Sequence, residues 1–379
     1  MEVELIENTG RLSKIQKAWH DLLRCSARTD FFVLPQWFFS WWDIYGTGRN
    51  LYCIALWEDQ VLCGLLLLYK IKKGPFRLIT FAGYPHGSDR MDFILMKGME
   101  NECLSAFVKW LYKRADWDIV ALRDFGPFPN NSKILSDIVI QQHERCHVSG
   151  ELPNYYLPLH DYKNFDHYYK NKVGKNGRRN LRKQSNRLNR LTDFKWEFLN
   201  GIDEKTVCEM KELDTLKSSR GLKGMSAFSN PGNEPFLKRL SREKINRENI
   251  LFFCLRINGK LAGYALSFKF KNRLLGYQTS FDKAYAKFSI GVQMMHKLIE
   301  YAFMEDYSEL DFLKGDEAYK KLYSELFRKN KRVQFYNKGF KSLILYIYNG
   351  KIKPLRIRLA KHRFFTTLFS ARLRGTWDI

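Results

Sequence analysis

The sequence predicts a mixed α/β protein in which sheet strands alternate with helices. Apolar strand-like runs alternate with helical patterns along 379 residues, and 45% of the chain is hydrophobic. This length favours two domains over one. One hairpin pattern also occurs twice: the apolar runs 51–57 and 251–257 are each followed by a polar turn and a second strand, which contains Gly64 or Gly263. These observations favour two copies of one fold.

The first half of the chain, residues 1–160, continues as alternating strands and helices. Strand patterns at 76–82 and 91–95 precede a helix pattern at 102–114 and a strand at 118–122. Asn131-Ser132 then forms a typical helix N-cap. No small-residue loop follows the strand at 91–95. The first copy is therefore expected to be structural or to bind substrate.

A basic segment at 161–196 separates the two halves. Residues 167–196 hold ten Lys and Arg against one acid, and three leucines recur there at near-helical spacing. The pattern predicts a basic linker helix. Arg178 and Arg179 are candidates for a bidentate clamp on a substrate phosphate. A solvated linker helix is the alternative.

The second half, residues 197–330, contains a candidate phosphate site. A small-residue loop follows a strand pattern at 274–277 and opens a helix pattern. A helix start offers unpaired N–H groups and the positive end of the dipole, and glycine permits close backbone approach. An ordinary serine-capped helix is the alternative. The residues predicted to bind a pyrophosphate are Ser289, Ile290, Gly291, Val292 and Gln293.

Titratable side chains follow the next strand. Tyr319 is a candidate to protonate a leaving thiolate, and Lys320 to stabilise negative charge or bind a phosphate. Asp311 ends the strand before them. In the alternative, Asp311 caps a turn, Tyr319 lies in the core and Lys320 is a solvated charge.

Composition bounds the partners and the compartment. The net charge of +24 favours polyanionic partners such as nucleic acid, anionic lipid or nucleotides. Seven cysteines without a C-x-x-C predict reduced thiols in the cytoplasm. No secretory signal or transmembrane run is visible, and no metal-ligand cluster is expected. The sequence also lacks G-x-S-x-G, Walker and G-x-G-x-x-G motifs.

The last segment, 331–379, is predicted to be a basic amphipathic tail. Residues 328–374 contain fourteen Lys and Arg and no Asp or Glu. In a helix from Leu355, the side chains of Leu359, Phe369 and Leu373 share one face with it. This pattern predicts peripheral association with an anionic surface at the inner face of the cell membrane.

These motifs resemble the cellulose-biosynthesis-type (CelD-like) acyltransferases of the GNAT superfamily. Pro35-Gln36-Trp37 and residues 89–93 are similar to the family's N-terminal elements. The sequence departs from the family at Ile290, where proline is frequent, and it lacks the full Arg/Gln-x-x-Gly-x-Gly/Ala loop. In the second half, the resemblance rests on Gly276-Tyr277, Phe281-Asp282, Ser289-Ile290-Gly291, Asp311-Phe312-Leu313-Lys314-Gly315 and Tyr319-Lys320.

The resemblance implies tandem GNAT-like domains, an arrangement also seen in Fem-type transferases. It implies transfer from acetyl-CoA or another acyl-CoA to an amine or hydroxyl of a nucleotide- or lipid-linked sugar, in exopolysaccharide or envelope glycan synthesis. A free N–H of the strand ending at Tyr277 would polarise the thioester, and Asp311 or Asp282 would be an orienting carboxylate or base. Tyr319 would be the acid and Lys320 a phosphate contact. The departures leave two alternatives open: an aminoacyl-tRNA-dependent transferase, and a non-catalytic RNA- or membrane-binding subunit.

Overall fold

A computed structural model describes residues 1–27, 29–127, 130–143, 145–191, 193–219 and 227–355. The chain divides into two compact units. Unit 1 contains Met1–Glu151 and the described residues from Lys329 onward, and unit 2 is Leu152–Arg328. No helix in these described ranges is both long and apolar enough to cross a membrane. The amphipathic helix predicted from Leu355 onward, within the tail segment 331–379, lies almost wholly outside the described residues.

The described chain forms strands β1 to β15 and helices α1 to α13. The strands are β1 (Glu2–Ile6), β2 (Asn50–Leu51), β3 (Cys53–Glu58), β4 (Val61–Leu66), β5 (Leu68–Lys73), β6 (Phe76–Phe81), β7 (Ile94–Leu95), β8 (Ile119–Phe125), β9 (Cys146–Pro158), β10 (Phe194–Asn200), β11 (Ile250–Ile257), β12 (Lys260–Phe270), β13 (Arg273–Phe281), β14 (Glu309–Lys314) and β15 (Phe327–Tyr336). The helices are α1 (Thr9–Lys14), α2 (Gln16–Cys25), α3 (Pro35–Tyr45), α4 (Glu100–Tyr112), α5 (Asn131–His143), α6 (Phe165–Lys172), α7 (Lys175–Leu188), α8 (Glu204–Ser219), α9 (Asn233–Ser241), α10 (Lys244–Asn249), α11 (Ile290–Met304), α12 (Ala318–Lys321) and α13 (Phe340–Ile347).

Unit 1 holds two sets of hydrogen-bonded strands. One has the order β1-β3-β4-β7 and the other the order β15-β8-β6-β5-β2. β6 and β8 are parallel, whereas β8 and β15 are antiparallel. Of the strands predicted here, 76–82 and 118–122 correspond to β6 and β8, but 91–95 is reduced to the two residues of β7.

Unit 2 is a mixed sheet of order β10-β11-β12-β13-β14-β9. β13 and β14 are parallel, and the other neighbours pair antiparallel. The inner side of α11 packs on one face through Met294, Leu298 and Ala302, together with Leu274 and Leu310 of the two parallel strands. The mixed α/β class expected from the sequence is confirmed.

The two hairpins of the predicted repeat have the same irregularity. In β3–β4 a bulge follows the pair Leu56↔Gly64, and in β11–β12 a bulge follows Leu255↔Gly263. These glycines are the positions that the sequence comparison superimposed. A bulge at one shared position is a register feature that hydrophobic alternation alone would not produce. The internal duplication is therefore present in the hairpin geometry.

The units differ from the expected segments in two ways. Residues 161–196 are not a separate linker, since Tyr168 of α6 and Leu188 of α7 are fully buried within unit 2. The predicted boundary at residue 330 falls inside β15, which pairs with β8 of unit 1. Strand pairing between distant segments leaves no local pattern, so the sequence could not place either boundary.

Candidate functional site

The two parallel strands of unit 2 separate partway along their length. β13 pairs with β14 only from Arg273↔Glu309 to Leu275↔Asp311, although β13 continues to Phe281. Beyond Leu275, the edge of β13 that faced β14 is therefore no longer paired with it. The free strand N–H that the resemblance implied at 274–277 would require such a separation. Ligands of open α/β sheets bind beyond such strand ends.

A bulge in β13 lies beside this opening. Leu266 pairs with Gln278 and Ser267 with Gly276, which leaves Tyr277 as the extra residue. The Tyr277 ring lies 4.7 Å from that of Phe268, and Gln278 Nε2 donates to the Tyr264 hydroxyl at 2.6 Å. Positions 264 and 268 of β12 share one face because side chains alternate. The bulge thus turns two consecutive residues, Tyr277 and Gln278, toward the same face.

That face carries a buried polar cluster that sequence reasoning missed. Ser280 Oγ donates to Asp214 Oδ1 of α8 at 3.2 Å, and both residues are at most 2% exposed. Burial, and then the charge of Asp214, raise the pKa of Tyr264, so its hydroxyl stays protonated. Gln278 and Ser280, two polar residues alternating along a central strand, were the available signal.

The start of α11 offers fewer donors than predicted. Ser289 adopts left-handed backbone angles, φ 51° and ψ 44°, and its side chain makes no cap hydrogen bond. The N–H groups of Val292 and Gln293 both bond to the Ser289 carbonyl at 3.0 Å. The donors left in this first turn are those of Ile290 and Gly291, for which an α-helix has no internal acceptor.

The side chains of this loop have packing roles. A Cβ at Gly291 would lie 2.8 Å from Cε1 of Phe281, so the residue is glycine because the Phe281 ring needs this space. This corrects the prediction that glycine is present here to let a diphosphate approach the backbone. Gln293 Nε2 donates to the Phe288 carbonyl at 2.7 Å. Ile290 is fully buried. Apart from the Ser289 hydroxyl, which is partly exposed, only backbone groups of this loop are therefore placed to hold a diphosphate.

The two carboxylates predicted as orienting groups stabilise turns. Asp311 is fully buried, and its Oδ1 accepts the Leu313 N–H at 2.8 Å, where Leu313 has a positive φ of 55°. Asp282 Oδ1 accepts the Ala284 N–H at 2.9 Å and begins a short 3₁₀ turn. The structure therefore matches the turn-cap alternative for Asp311 and does not support its role as a base.

The structure contradicts both predictions for Lys320, as a contact to the substrate and as a solvated charge. Its side chain is 4% exposed, and Nζ donates to the carbonyls of Leu313 at 3.3 Å and Lys314 at 2.8 Å and pairs with Glu317 at 3.0 Å. It is neither a solvated charge nor free to contact a substrate, because the protein itself uses its three N–H donors. Tyr319, in contrast, is 38% exposed and is not a core residue.

The predicted arginine clamp is not assembled. Arg178 Nη1 donates to the carbonyls of Lys170 and Val173, which lie at the end of α6. Arg179 is exposed on α7. Consecutive helical residues do not face each other. Arg178 therefore joins α7 to the end of α6, and Arg179 alone remains available to a phosphate.

A histidine on α11 was also missed. His296 Nδ1 is buried without a hydrogen-bond partner in the described parts of the chain. Its ring meets those of Tyr169 and Tyr323 at centroid distances of 5.1 and 5.5 Å. Burial lowers the pKa of His296 to about 4. The imidazole is therefore neutral at physiological pH.

We expect His296→Phe to flatten the acid side of the stability profile. In wild type, the unfolded chain binds a proton near the ordinary histidine pKa of about 6.5 and the folded chain only near 4. Stability therefore falls as pH drops through this window, by up to about 3 kcal/mol. Urea unfolding at pH 7 and 4.5 measures the difference. His160→Gln, at a side chain 72% exposed, should leave the slope unchanged; an unchanged slope in His296→Phe would contradict the assignment.

Comparisons with known proteins agree with this geometry. Residues 175–321 match the family model described as an acetyltransferase (GNAT) domain. The crystal structure of FemX is similar with a TM-score of 0.59 at 13% identity, over 91% of this chain and 100% of that one. A conserved protein of unknown function from Bacteroides thetaiotaomicron VPI-5482 is similar with a TM-score of 0.53 at 14% identity, over 89% and 100%. No curated protein matches the chain.

The two structural similarities show a shared fold, and at these identities they show no more. The family match covers the separated strands β13 and β14 and the start of α11, and GNAT domains take acyl-CoA as donor. Residues 175–321 of this chain therefore match the model of a GNAT acetyltransferase domain.

Proposed function

We propose that the chain is a CelD-like acyltransferase that moves an acetyl or other acyl group from acyl-CoA to an amine or hydroxyl of a sugar. The sugar would be nucleotide- or lipid-linked and destined for exopolysaccharide or cell-envelope glycan. The observation that carries the proposal is the release of β13 from β14 after Leu275, followed directly by the start of α11. The strand edge can then donate a hydrogen bond to the thioester carbonyl, and the helix start can bind the diphosphate.

Backbone donors and nearby cations would hold the donor. The first-turn N–H groups of Ile290 and Gly291 face an anion with the helix dipole behind them. Lys283 and Lys287 lie in the 3₁₀ turn that precedes this helix, and Lys287 is exposed. These groups fit a diphosphate, and the edge of β13 that leaves β14 after Leu275 fits the thioester carbonyl oxygen as an N–H donor.

The reaction needs no covalent enzyme intermediate. The acceptor nitrogen or oxygen bonds to the thioester carbonyl carbon, the C–S bond breaks, and the thiolate leaves and takes a proton. Tyr319 is the proposed proton donor, because α12 follows the carboxyl end of β14 and this tyrosine is accessible there. The acceptor loses one proton to a base or through water.

The polar cluster on the α8 face supports a hydroxyl-rich acceptor. Gln278 is only partly buried and presents an amide beside the bulge, while Ser280 and Asp214 bond to each other beneath it. A site built to hydrogen-bond a substrate hydroxyl rejects analogues that lack it. The cluster lies on β13 after the bulge, so an acceptor there would be near the thioester.

Calorimetric titration with acetyl-CoA tests the donor site. We expect saturable binding, and Lys287→Glu should weaken it by about three- to tenfold because the reversed charge lies beside the diphosphate. Lys205→Glu, at an exposed lysine at the start of α8, is the matched control and should bind like wild type. Absence of any acetyl-CoA binding, at protein concentrations high enough to detect weak affinity, would overturn the proposal.

An aminoacyl-tRNA-dependent, Fem-like transferase is the second candidate, and α7 favours it. Every exposed residue of this helix is Lys, Arg or Asn, and the helix contains no acid. Such a face neutralises phosphates and donates hydrogen bonds. Salt-sensitive binding of tRNA together with no binding of acetyl-CoA would favour this candidate. RNA or vesicle binding without transfer would favour a non-catalytic subunit.

A further inference from the structure

Unit 1 ends in a helical segment whose outer side is apolar. α13 continues through a helical turn at Tyr348–Ile352 to residue 355. Large apolar side chains of this segment are exposed to solvent, which is unusual for a contiguous set on one element. They are Phe340 (76% exposed), Ile344 (39%), Ile347 (42%), Ile352 (44%) and Leu355 (56%), here called the apolar stripe.

A π-helical turn keeps the stripe straight. In Tyr348–Ile352, the Lys353 N–H bonds to the carbonyl five residues back, which adds one residue to the turn. At about 100° per residue, an uninterrupted α-helix would place Ile352 roughly a third of a turn from Phe340. With the extra residue, Ile352 and Leu355 return to within roughly 40° of the line through Phe340. The stripe is thus one continuous face.

The opposite side of the segment is fastened to unit 1. The His147 ring stacks on Tyr346 at 4.6 Å, and its Nε2 lies 3.2 Å from the Tyr346 carbonyl oxygen, to which it donates. A Cβ at Gly350 would lie 2.5 Å from His147 Cε1, so glycine is required at this position of the π turn. Leu345 is fully buried. The segment is therefore held with its apolar side outward.

Lysines flank the stripe on both sides. On the same helical projection, Lys341 and Lys353 fall to one side and Lys351 to the other. No Asp or Glu occurs between residues 328 and 374. An apolar stripe bordered by cations is the layout of a helix that lies in the interface of an anionic bilayer.

We propose that this apolar stripe docks unit 1 on an anionic lipid surface. The apolar side chains enter the acyl boundary and the flanking lysines contact phosphate headgroups. This surface lies within the segment 331–379 that was predicted to be a basic amphipathic tail, and it ends where the helix predicted from Leu355 begins. It does not depend on the acyl-transfer chemistry. A second copy is a poorer occupant, since a symmetric pairing would bring the lysine borders of both copies together. Nucleic acid is poorer still, because it would leave the stripe unburied.

Vesicle flotation of the full chain tests the proposal. Wild type should float with vesicles of phosphatidylglycerol and phosphatidylcholine, and much less with phosphatidylcholine alone. The double variant Phe340→Ser, Ile347→Ser should bind roughly tenfold more weakly or worse, because two inserted side chains are lost. Its control is Val61→Ser, Met304→Ser, which removes two equally exposed apolar side chains from β4 and α11.

Charge supplies a second, independent readout. Lys341→Gln with Lys351→Gln should weaken flotation at low salt, and the difference from wild type should disappear at high salt. Because all substituted side chains are exposed, thermal unfolding should match wild type. Wild-type flotation by the Phe340→Ser, Ile347→Ser variant would overturn the proposal and assign binding to other basic segments. A wild-type dimer in sedimentation that this variant loses would overturn it in favour of a contact between copies.

Discussion

Lys320→Ala should destabilise the protein, lowering its free energy of unfolding by about 2–5 kcal/mol. The substitution leaves the carbonyls of Leu313 and Lys314 without their donor in a buried turn. It also leaves Glu317 without its partner. Thermal unfolding followed by circular dichroism measures the effect, which corresponds to roughly 2–4 °C per kcal/mol for a unit of this size.

The neighbouring lysine provides a matched control. Lys321 pairs with Asp316 at 2.9 Å, but both side chains are about half exposed. Lys321→Ala should therefore change stability by less than about 0.5 kcal/mol. Lys320→Met, which keeps the apolar stem, should remain clearly destabilised. If the Lys320→Ala variant is instead fully stable but inactive, Lys320 acts in catalysis and not in stability.

The fold was largely predictable because its signals are local. Hairpins at β3–β4 and β11–β12 follow from apolar runs around a polar turn, and the repeat follows from their shared glycine position. The domain boundaries were not predictable. β15 joins unit 1 through pairing with β8, and no residue of β15 reports its distant partner in the sequence.

The candidate site was predictable as a place and not as a set of side chains. The loop at Ser289 follows from the chain order of strand, small-residue loop and helix. The free strand N–H expected near Tyr277 came from the resemblance to the GNAT superfamily. The roles of Asp311 and Lys320 depend on burial and on backbone groups that bend back toward them. A short motif that contains such residues can mark a stabilised turn just as well as it can mark catalytic groups. Asp214 was missed because it lies on α8, far in the sequence from its partner Ser280 on β13.

Tyr319→Phe should separate activity from stability at the position next to Lys320. If Tyr319 protonates the leaving thiolate, loss of its hydroxyl should lower kcat for acetyl-CoA by about 10²- to 10⁴-fold while KM changes little. The side chain is 38% exposed, so thermal unfolding should match wild type within a few tenths of a kcal/mol. CoA release, with glucosamine as the acceptor probe, is best followed by chromatography, since Cys25 is an exposed thiol that would react with a thiol reagent.

Tyr323 is the residue against which this prediction is decided. Burial, and then the neighbouring Tyr319, raise the pKa of Tyr323, so its hydroxyl stays protonated. Tyr323 is only 4% exposed and packs against Phe312 in the core of unit 2. Tyr323→Phe should therefore keep most of the activity, because a proton donor must reach the departing sulfur. The opposite pattern, with Tyr319→Phe active and Tyr323→Phe inactive, would move the acid to the buried hydroxyl and remove the accessible tyrosine from the mechanism.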